Sequence, residues 1–243
     1  MSHRFFTYEE RPELRGRAGF LRDAWPPFML ESPISGERWH LLYERFGGFQ
    51  FWLVDESSDQ ILAEANSLPV RLDLAELPDR GWEYVVEHAT SGEEEPTLVS
   101  AIQVLVDRTR HGGGLSAVML GEMRRIAQAA GFRDLVAPVR PTLKSRYPLT
   151  PSDVYASWTT SEGLPFDPWL RVHARAGASI VRVCPESMII PGTIAEWEEW
   201  TEMRFPASGP YVVPGALQPV EIDVESDRGV YVEPNVWMHH PIG

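Results

Sequence analysis

Apolar residues recur along this chain with several spacings, and each spacing predicts a different element. Between residues 8 and 25, Leu14, Ala18 and Leu21 fall at helical intervals before Pro26-Pro27 ends the segment. Residues 39–46 predict a second short helix, closed by Gly47-Gly48. Residues 49–54 are rich in aromatics and bounded by the turn-like run Asp55-Glu56-Ser57-Ser58-Asp59, which predicts a strand. Residues 61–72 follow closely enough to be its hairpin partner. Residues 79–95 are acidic and irregular, with a helical turn or two expected around 82–88.

The strongest strand signal lies at 96–106, a nearly continuous apolar run that predicts a central strand covered on both faces. Three glycines, Gly112, Gly113 and Gly114, separate it from an amphipathic helix at 115–130. There Leu115, Met119, Met123 and Ile126 share one side, while Glu122, Arg124, Arg125 and Gln128 lie elsewhere. Gly131 closes that helix, and 135–139 predicts a short buried strand. Asp167-Pro168 opens a further helix within 165–176, as an N-cap followed by proline at the first helical position. Gly177 ends it, and 179–183 reads as a strand. A short helix at 194–203 carries Trp197 and Trp200, and 211–213, 220–224 and 230–232 look extended. No repeat or low-complexity linker interrupts the pattern, so residues 1–243 are expected to form one mixed α/β domain.

Charge narrows the partners. Thirty-five acids against 22 bases give a net charge of −13, which disfavours sequence-independent nucleic-acid binding, where a basic face supplies most of the affinity. A local basic pocket for a phosphorylated ligand remains compatible with it. Cys184 is the only cysteine, so neither an intramolecular disulfide nor a Cys-rich zinc site forms. Met1-Ser2-His3-Arg4-Phe5-Phe6 lacks the apolar stretch of a signal peptide, and no run of ~18 apolar residues predicts a membrane span. The expectation is a soluble cytoplasmic protein.

Glycines between a buried strand and a helix N-terminus have a physical use. Without Cβ atoms the backbone approaches a ligand closely, and the free N–H groups of the first turn point at an anion. A phosphate or pyrophosphate site and a plain tight turn both account for the run. A Walker loop requires Gly-Lys-Ser/Thr, and no lysine follows here. A Rossmann fingerprint requires a third glycine where Ala117 stands, and it normally follows the first strand of the fold.

In its residues His111-Gly112-Gly113-Gly114-Leu115-Ser116, the sequence resembles the GNAT superfamily, whose phosphate signature is Gln/Arg-x-x-Gly-x-Gly/Ala after the fourth strand. His111 and Ser116 depart from the usual residues, so permanent charge falls to Arg108 or Arg110. The resemblance covers roughly residues 40–185, most strongly 98–139, and leaves 186–243 as a C-terminal elaboration. It implies a mixed, mostly antiparallel central sheet flanked by helices. It also implies acetyl-CoA or another acyl-CoA as co-substrate, without a metal.

By that resemblance, Val104, Leu105 and Val106 pair through their backbone with the pantetheine arm, and His111, Gly112, Gly113, Gly114, Leu115 and Ser116 hold the pyrophosphate. An amine then attacks the thioester directly, assisted by a general base and an acid. His173 lies where the superfamily often has a tyrosine, four residues before Gly177, and is the candidate acid, or a base acting through water; its ordinary pKa near ~6.5 suits either role. A surface histidine on an amphipathic helix is the plainer alternative. Ser100 stands where a carboxylate base is sometimes found, so Glu64, amid Leu62, Ala63 and Ala65, is the candidate base; a solvent-facing side chain explains it equally well.

Other residues invite blander readings. Cys184 is expected to be a buried inert thiol and Glu93-Glu94-Glu95 a solvated loop. Arg140 and Lys144 suit a substrate carboxylate, a cofactor phosphate or an exposed loop. His239-His240 reads as a tail feature, and the tryptophans late in the chain as core or acceptor pocket. The expected partner is a small-molecule amine acceptor, with a homodimer as a further expectation, and neither nucleic acid nor membrane. Two other readings stay open: a GNAT-fold acyl-CoA or acyl-carrier sensor or non-amine thioester enzyme, and a non-catalytic interaction domain.

Overall fold

The computed structural model describes residues 3–92, 94–110 and 113–242. The described strands are β1 (His3–Thr7), β2 (Gln50–Asp55), β3 (Gln60–Val70), β4 (Leu98–Val106), β5 (Asp134–Val139), β6 (Ser179–Gly192), β7 (Gly209–Tyr211), β8 (Val220–Asp223) and β9 (Arg228–Pro241). They join in one sheet of order β1-β2-β3-β4-β5-β9-β8-β7, with β6 pairing β9. β4 and β5 run parallel, whereas the other pairings are antiparallel. The helices are α1 (Leu14–Arg17), α2 (Pro33–Phe46), α3 (Trp82–Ser91), α4 (Leu115–Ala129), α5 (Ser152–Ala156), α6 (Pro168–Arg175) and α7 (Ile194–Thr201).

The period-2 alternation of the central strands sorts their side chains into two cores, one on each face. Ala63, Ala65, Val99 and Ala101 pack with Met119, Met123 and Ala127 of α4. Leu68, Val70, Ile102 and Leu105 pack with Leu42 of α2 and with Val85 and Val86 of α3. Among the described residues no helix is long and apolar enough to cross a membrane.

Several elements differ from the sequence expectation. Within 8–25 only Leu14–Arg17 is α-helical, and Ala18–Ala24 tightens into a 3-10 turn, although Leu14, Ala18 and Leu21 are buried as the spacing requires. α2 starts earlier than expected, at Pro33 after the N-cap Ser32. Gly47 is right-handed at φ −53°, so the chain continues into a 3-10 turn instead of a left-handed stop. The acidic segment yields a longer helix, α3, because Trp82, Val85, Val86 and Ala89 give it a buried stripe.

β6 runs on to Gly192, past the expected 183. Its pattern is broken by an irregularity between Cys184 and Met188, opposite Glu233 and Asn235 of β9. Pro234, which has no N–H to give, sits within that break. β9 is accordingly a long strand flanked on both sides, and the C-terminal segment builds this half of the sheet.

Candidate functional site

Two rungs, Val99 with Leu135 and Ser100 with Val136, are all that pair β4 to β5. β4 itself continues to Val106, paired with β3 as far as Ala63. Asn66 lies opposite Gln103 and Ser67 opposite Ala101, so Ile102 is an extra, bulged residue that bends β4. The strands therefore splay, and a cleft of about 890 Å³ occupies the gap. Val104, Leu105 and Val106 line it together with Ala137, Pro138 and Val139. On the α4 side its wall includes Leu115, Ser116, Leu120, Trp169 and His173, and on the opposite side Trp25, Met29, Trp39, Glu64 and Trp82.

The glycine run opens one end of this cleft. Gly114 is the N-cap of α4 and is left-handed at φ +74°, a conformation that suits glycine. A Cβ built there would meet nothing within 4 Å, so the conformation and not crowding selects the residue. Among the described residues α4 has no side-chain cap, and Ala117 N is met by Gly114 O, which leaves the amides of Leu115 and Ser116 for a ligand. Arg110 lines the cleft, whereas Arg108 is engaged by the carbonyl oxygen of Asp23. His111 and Gly112 lie outside the described residues, as does Glu93 of the acidic run.

Glu64 faces the other end. It stands opposite Leu105 in the β3–β4 ladder and is 7% exposed. Tyr43 Oη donates to Glu64 Oε1 at 2.7 Å, and Asn66 Nδ2 lies 3.2 Å from Tyr43 Oη and 3.0 Å from Gln50 Oε1. Gln103 Nε2 donates to Asn66 Oδ1 at 3.0 Å, and Trp25 Nε1 donates to Gln103 Oε1 at 3.1 Å. Burial pushes the Glu64 carboxyl above its ordinary range, against the opposing pull of the Tyr43 and Asn66 hydrogen bonds and the Arg22 charge. The solvent-facing alternative for Glu64 is thereby corrected.

Of this network the sequence reading singled out Glu64 alone. Asn66 carries a signal that was available: a polar residue two positions after Glu64 in a buried strand shares its face. Tyr43, Gln103 and Trp25 come from separate elements, and no local pattern links them.

His173 is held on α6, whose entry is fixed by Asp167. Its Oδ1 accepts from Trp169 N at 2.9 Å and Leu170 N at 3.3 Å, and its Oδ2 accepts from Tyr155 Oη at 2.9 Å and Leu143 N at 2.8 Å. His173 is 1% exposed, so the surface alternative is corrected. Its Nδ1 lies 2.9 Å from Nε2 of His240. Burial, with a smaller contribution from His240, pushes His173 down to about 3, and burial and then Arg124 push His240 down to about 4. At neutral pH both rings are therefore uncharged, which departs from the ordinary value expected from sequence. The tail reading of His239-His240 is also corrected: both belong to β9, and His239 Nε2 meets Asp134 Oδ1 at 2.6 Å.

The remaining candidates are structural. Cys184 is fully buried, and burial pushes its thiol up to about 12, so it is inert at neutral pH. Lys144 is 1% exposed, with Nζ donating to the carbonyl oxygens of Tyr147 and Leu217, so it meets neither substrate nor phosphate. Arg140 lines the cleft, but its charge is met by both carboxylate oxygens of Glu233 at 2.9 and 3.0 Å. Ser100 is buried and its hydroxyl donates to Ala101 O at 3.3 Å, so no acid replaces it there. Trp197 and Trp237 are core residues. Trp169 lines the α4 side of the cleft, and the tryptophans on the Glu64 side are the early ones, with Trp39 and Trp82 stacked at 6.2 Å and 15°.

No family model matches the sequence. The chain is 34% identical over 247 residues to the arginine N-acetyltransferase avaD of Aspergillus versicolor, covering 90% of this chain and 85% of that protein. It is similar in structure to the loading GNATL domain of CurA from Lyngbya majuscula, with a TM-score of 0.62 at 18% identity and coverage of 100% and 98%. A GphF GNAT-like decarboxylase in complex with isobutyryl-CoA gives 0.60 at 15% identity over the whole of both chains. An aminoglycoside 6'-N-acetyltransferase complexed with coenzyme A gives 0.51 at 13% identity, covering 100% and 98%.

With its splayed strands, its glycine-capped α4 and this relative, the chain belongs to the GNAT superfamily of N-acetyltransferases, which transfer an acyl group from acyl-CoA to an amine. The site fits that donor. The gap beyond Ser100 admits an extended arm beside a free strand edge, and the uncapped N-terminus of α4 with Arg110 suits its pyrophosphate.

Proposed function

We propose that this enzyme N-acetylates arginine or a compact derivative that carries a guanidinium, with acetyl-CoA as donor. The observation that carries the reading is Glu64, a buried carboxylate hydrogen-bonded to Tyr43 at the tryptophan-walled end of the cleft. A buried carboxyl favours a cation that restores the charge balance its burial disturbs. Flat aromatic walls at Trp25, Trp39 and Trp82 suit a planar guanidinium. The arginine acceptor named for the Aspergillus versicolor relative supports the same chemistry.

In this reading the backbone of Val104, Leu105 and Val106 aligns the pantetheine arm, and a backbone N–H there stabilises the developing oxyanion. His111, Gly112, Gly113, Gly114, Leu115 and Ser116 hold the pyrophosphate, with Arg110 supplying charge. The acceptor nitrogen attacks the thioester carbon, the C–N bond forms and the C–S bond breaks. The proton released from nitrogen passes to Glu64 and then to water. His173 lines the cleft, and its Nε2, buried without a hydrogen-bond partner among the described residues, acts toward the leaving sulfur. Because its pKa is depressed, His173 serves as a neutral hydrogen-bonding group and not as a cationic acid.

The test is acetyl transfer across an acceptor panel of arginine, agmatine, lysine and spermidine, following thiol release and product mass together. Guanidinium acceptors should dominate, and Glu64→Gln should lower their turnover by roughly 10²-fold or more. Thiol release with no acetylated acceptor would sink this reading in favour of a non-amine thioester enzyme.

A further inference from the structure

His240 has no task in the mechanism above, yet it is fully buried in β9 and touches the ring that faces the donor. A contact of 2.9 Å between His173 Nδ1 and His240 Nε2 is a hydrogen bond holding one proton between two uncharged rings. Two N–H groups would collide there, and two bare lone pairs would repel. The donor ring therefore determines the tautomer of both. If His240 donates from Nε2, His173 must carry its own proton on Nε2. If His173 donates from Nδ1, its Nε2 is bare.

Arg124 of α4 distinguishes these states. Its guanidinium donates to the carbonyl oxygens of Ala176 and of Pro241, the residue after His240, and its positive charge bears on the His240 ring. His240 Nδ1 is buried without a hydrogen-bond partner. A bare lone pair beside a cation is favoured, and an N–H there is repelled. With Nε2 taken up by His173, Nδ1 is the His240 nitrogen left to that charge, which favours the proton on Nε2. His239, the other residue whose charge bears on the His240 ring, is itself engaged by Asp134.

We infer that His240 is a positioning residue whose Nε2–H, donated to His173 Nδ1, locks His173 in the Nε2–H tautomer and presents that N–H to the cleft. This rests on the proposal that the donor half of the cleft holds the thioester. His173 keeps its proton throughout: it donates a hydrogen bond to the sulfur as the C–S bond breaks, and the thiolate takes a proton from water after release. His173 lines the cleft beside Leu115, Ser116, Leu120, Trp169 and Val172, and its Nε2, buried without a hydrogen-bond partner among the described residues, is the donor this step uses.

The test is nitrogen-15 NMR of the full-length enzyme labelled at histidine, with His173→Gln and His240→Gln used for assignment. Both rings should appear as neutral Nε2–H tautomers, and Nδ1–H on His173 would overturn the inference. In His240→Leu, kcat should fall about tenfold, the scale of one misplaced hydrogen bond, with the KM for acetyl-CoA within about twofold. His240→Gln, whose amide N–H can replace the imidazole donor, should recover much of that loss. Unchanged kcat in His240→Leu would also overturn the inference, and if that variant does not fold, the wild-type spectrum decides. Undetectable binding of CoA to wild type would instead defeat the donor-site proposal beneath it, whatever the tautomer.

Discussion

Ser100 and Val136 form the last rung between β4 and β5, and beyond them the parallel strands part. The bulge at Ile102 lies just past that rung, where β4 bends while remaining paired to β3. A sheet interrupted in this way exposes backbone edges in its middle and not at its rim. Those edges lie between the first turn of α4 and Glu64, so one cleft connects the start of that helix to a buried carboxylate.

Placing a carboxylate at Ser116 should separate helix stability from donor binding. An acid in the first turn of α4 interacts favourably with the helix dipole, so Ser116→Glu should leave Tm unchanged or slightly raised. The same charge opposes a pyrophosphate, and the KM for acetyl-CoA should rise about tenfold or more. Steady-state kinetics and a thermal melt of one preparation check both. An unchanged KM would remove this helix end from the donor site.

Glu64 should impose a pH dependence on stability as well as on rate. Its folded pKa is raised, so its contribution is fully present below the ordinary carboxyl value of ~4.3 and is lost as pH rises through the folded value. Glu64→Gln cannot ionise. Its Tm relative to wild type should therefore climb as pH rises from ~4 toward neutrality. Parallel Tm curves for the two proteins would show that burial does not perturb this group.

The histidine pair should act in the opposite direction. His173 and His240 have folded pKa values depressed to about 3 and about 4, so their contribution is present above ~6.5 and lost as pH falls through the folded values. Each proton taken up on unfolding steepens the loss by roughly 1.4 kcal/mol per pH unit. Denaturant unfolding in a Glu64→Gln background isolates this slope. A His173→Phe, His240→Phe double variant should flatten it, and an unaltered slope would contradict the buried neutral pair.

Much of this was legible in the residues. The apolar run now seen as β4, the glycines before α4 and the Asp167-Pro168 start of α6 are local signals, and each placed its element within a few residues. The stretch proposed to hold the donor, from Val104 to Ser116, follows from them because it is contiguous in sequence. The Glu64 end of the cleft is assembled from distant pieces: Tyr43 on α2, Glu64 and Asn66 on β3, Gln103 at the bulge and Trp25 after a 3-10 turn. His240 was hidden by the Pro234 irregularity, which shortened the strand pattern of β9 to 230–232 and left the histidines looking like a tail. Long-range pairing, absent from any single window of sequence, brings it to His173.

The most direct measurement is mass spectrometry of reactions containing acetyl-CoA and arginine, run side by side with agmatine and lysine, with wild type and Glu64→Gln. The account requires one acetyl group on the guanidinium acceptors for each thiol released, a clear preference over lysine, and loss of that product in Glu64→Gln while CoA still binds. Acetylation of lysine as fast as arginine, or full activity in Glu64→Gln, would contradict it.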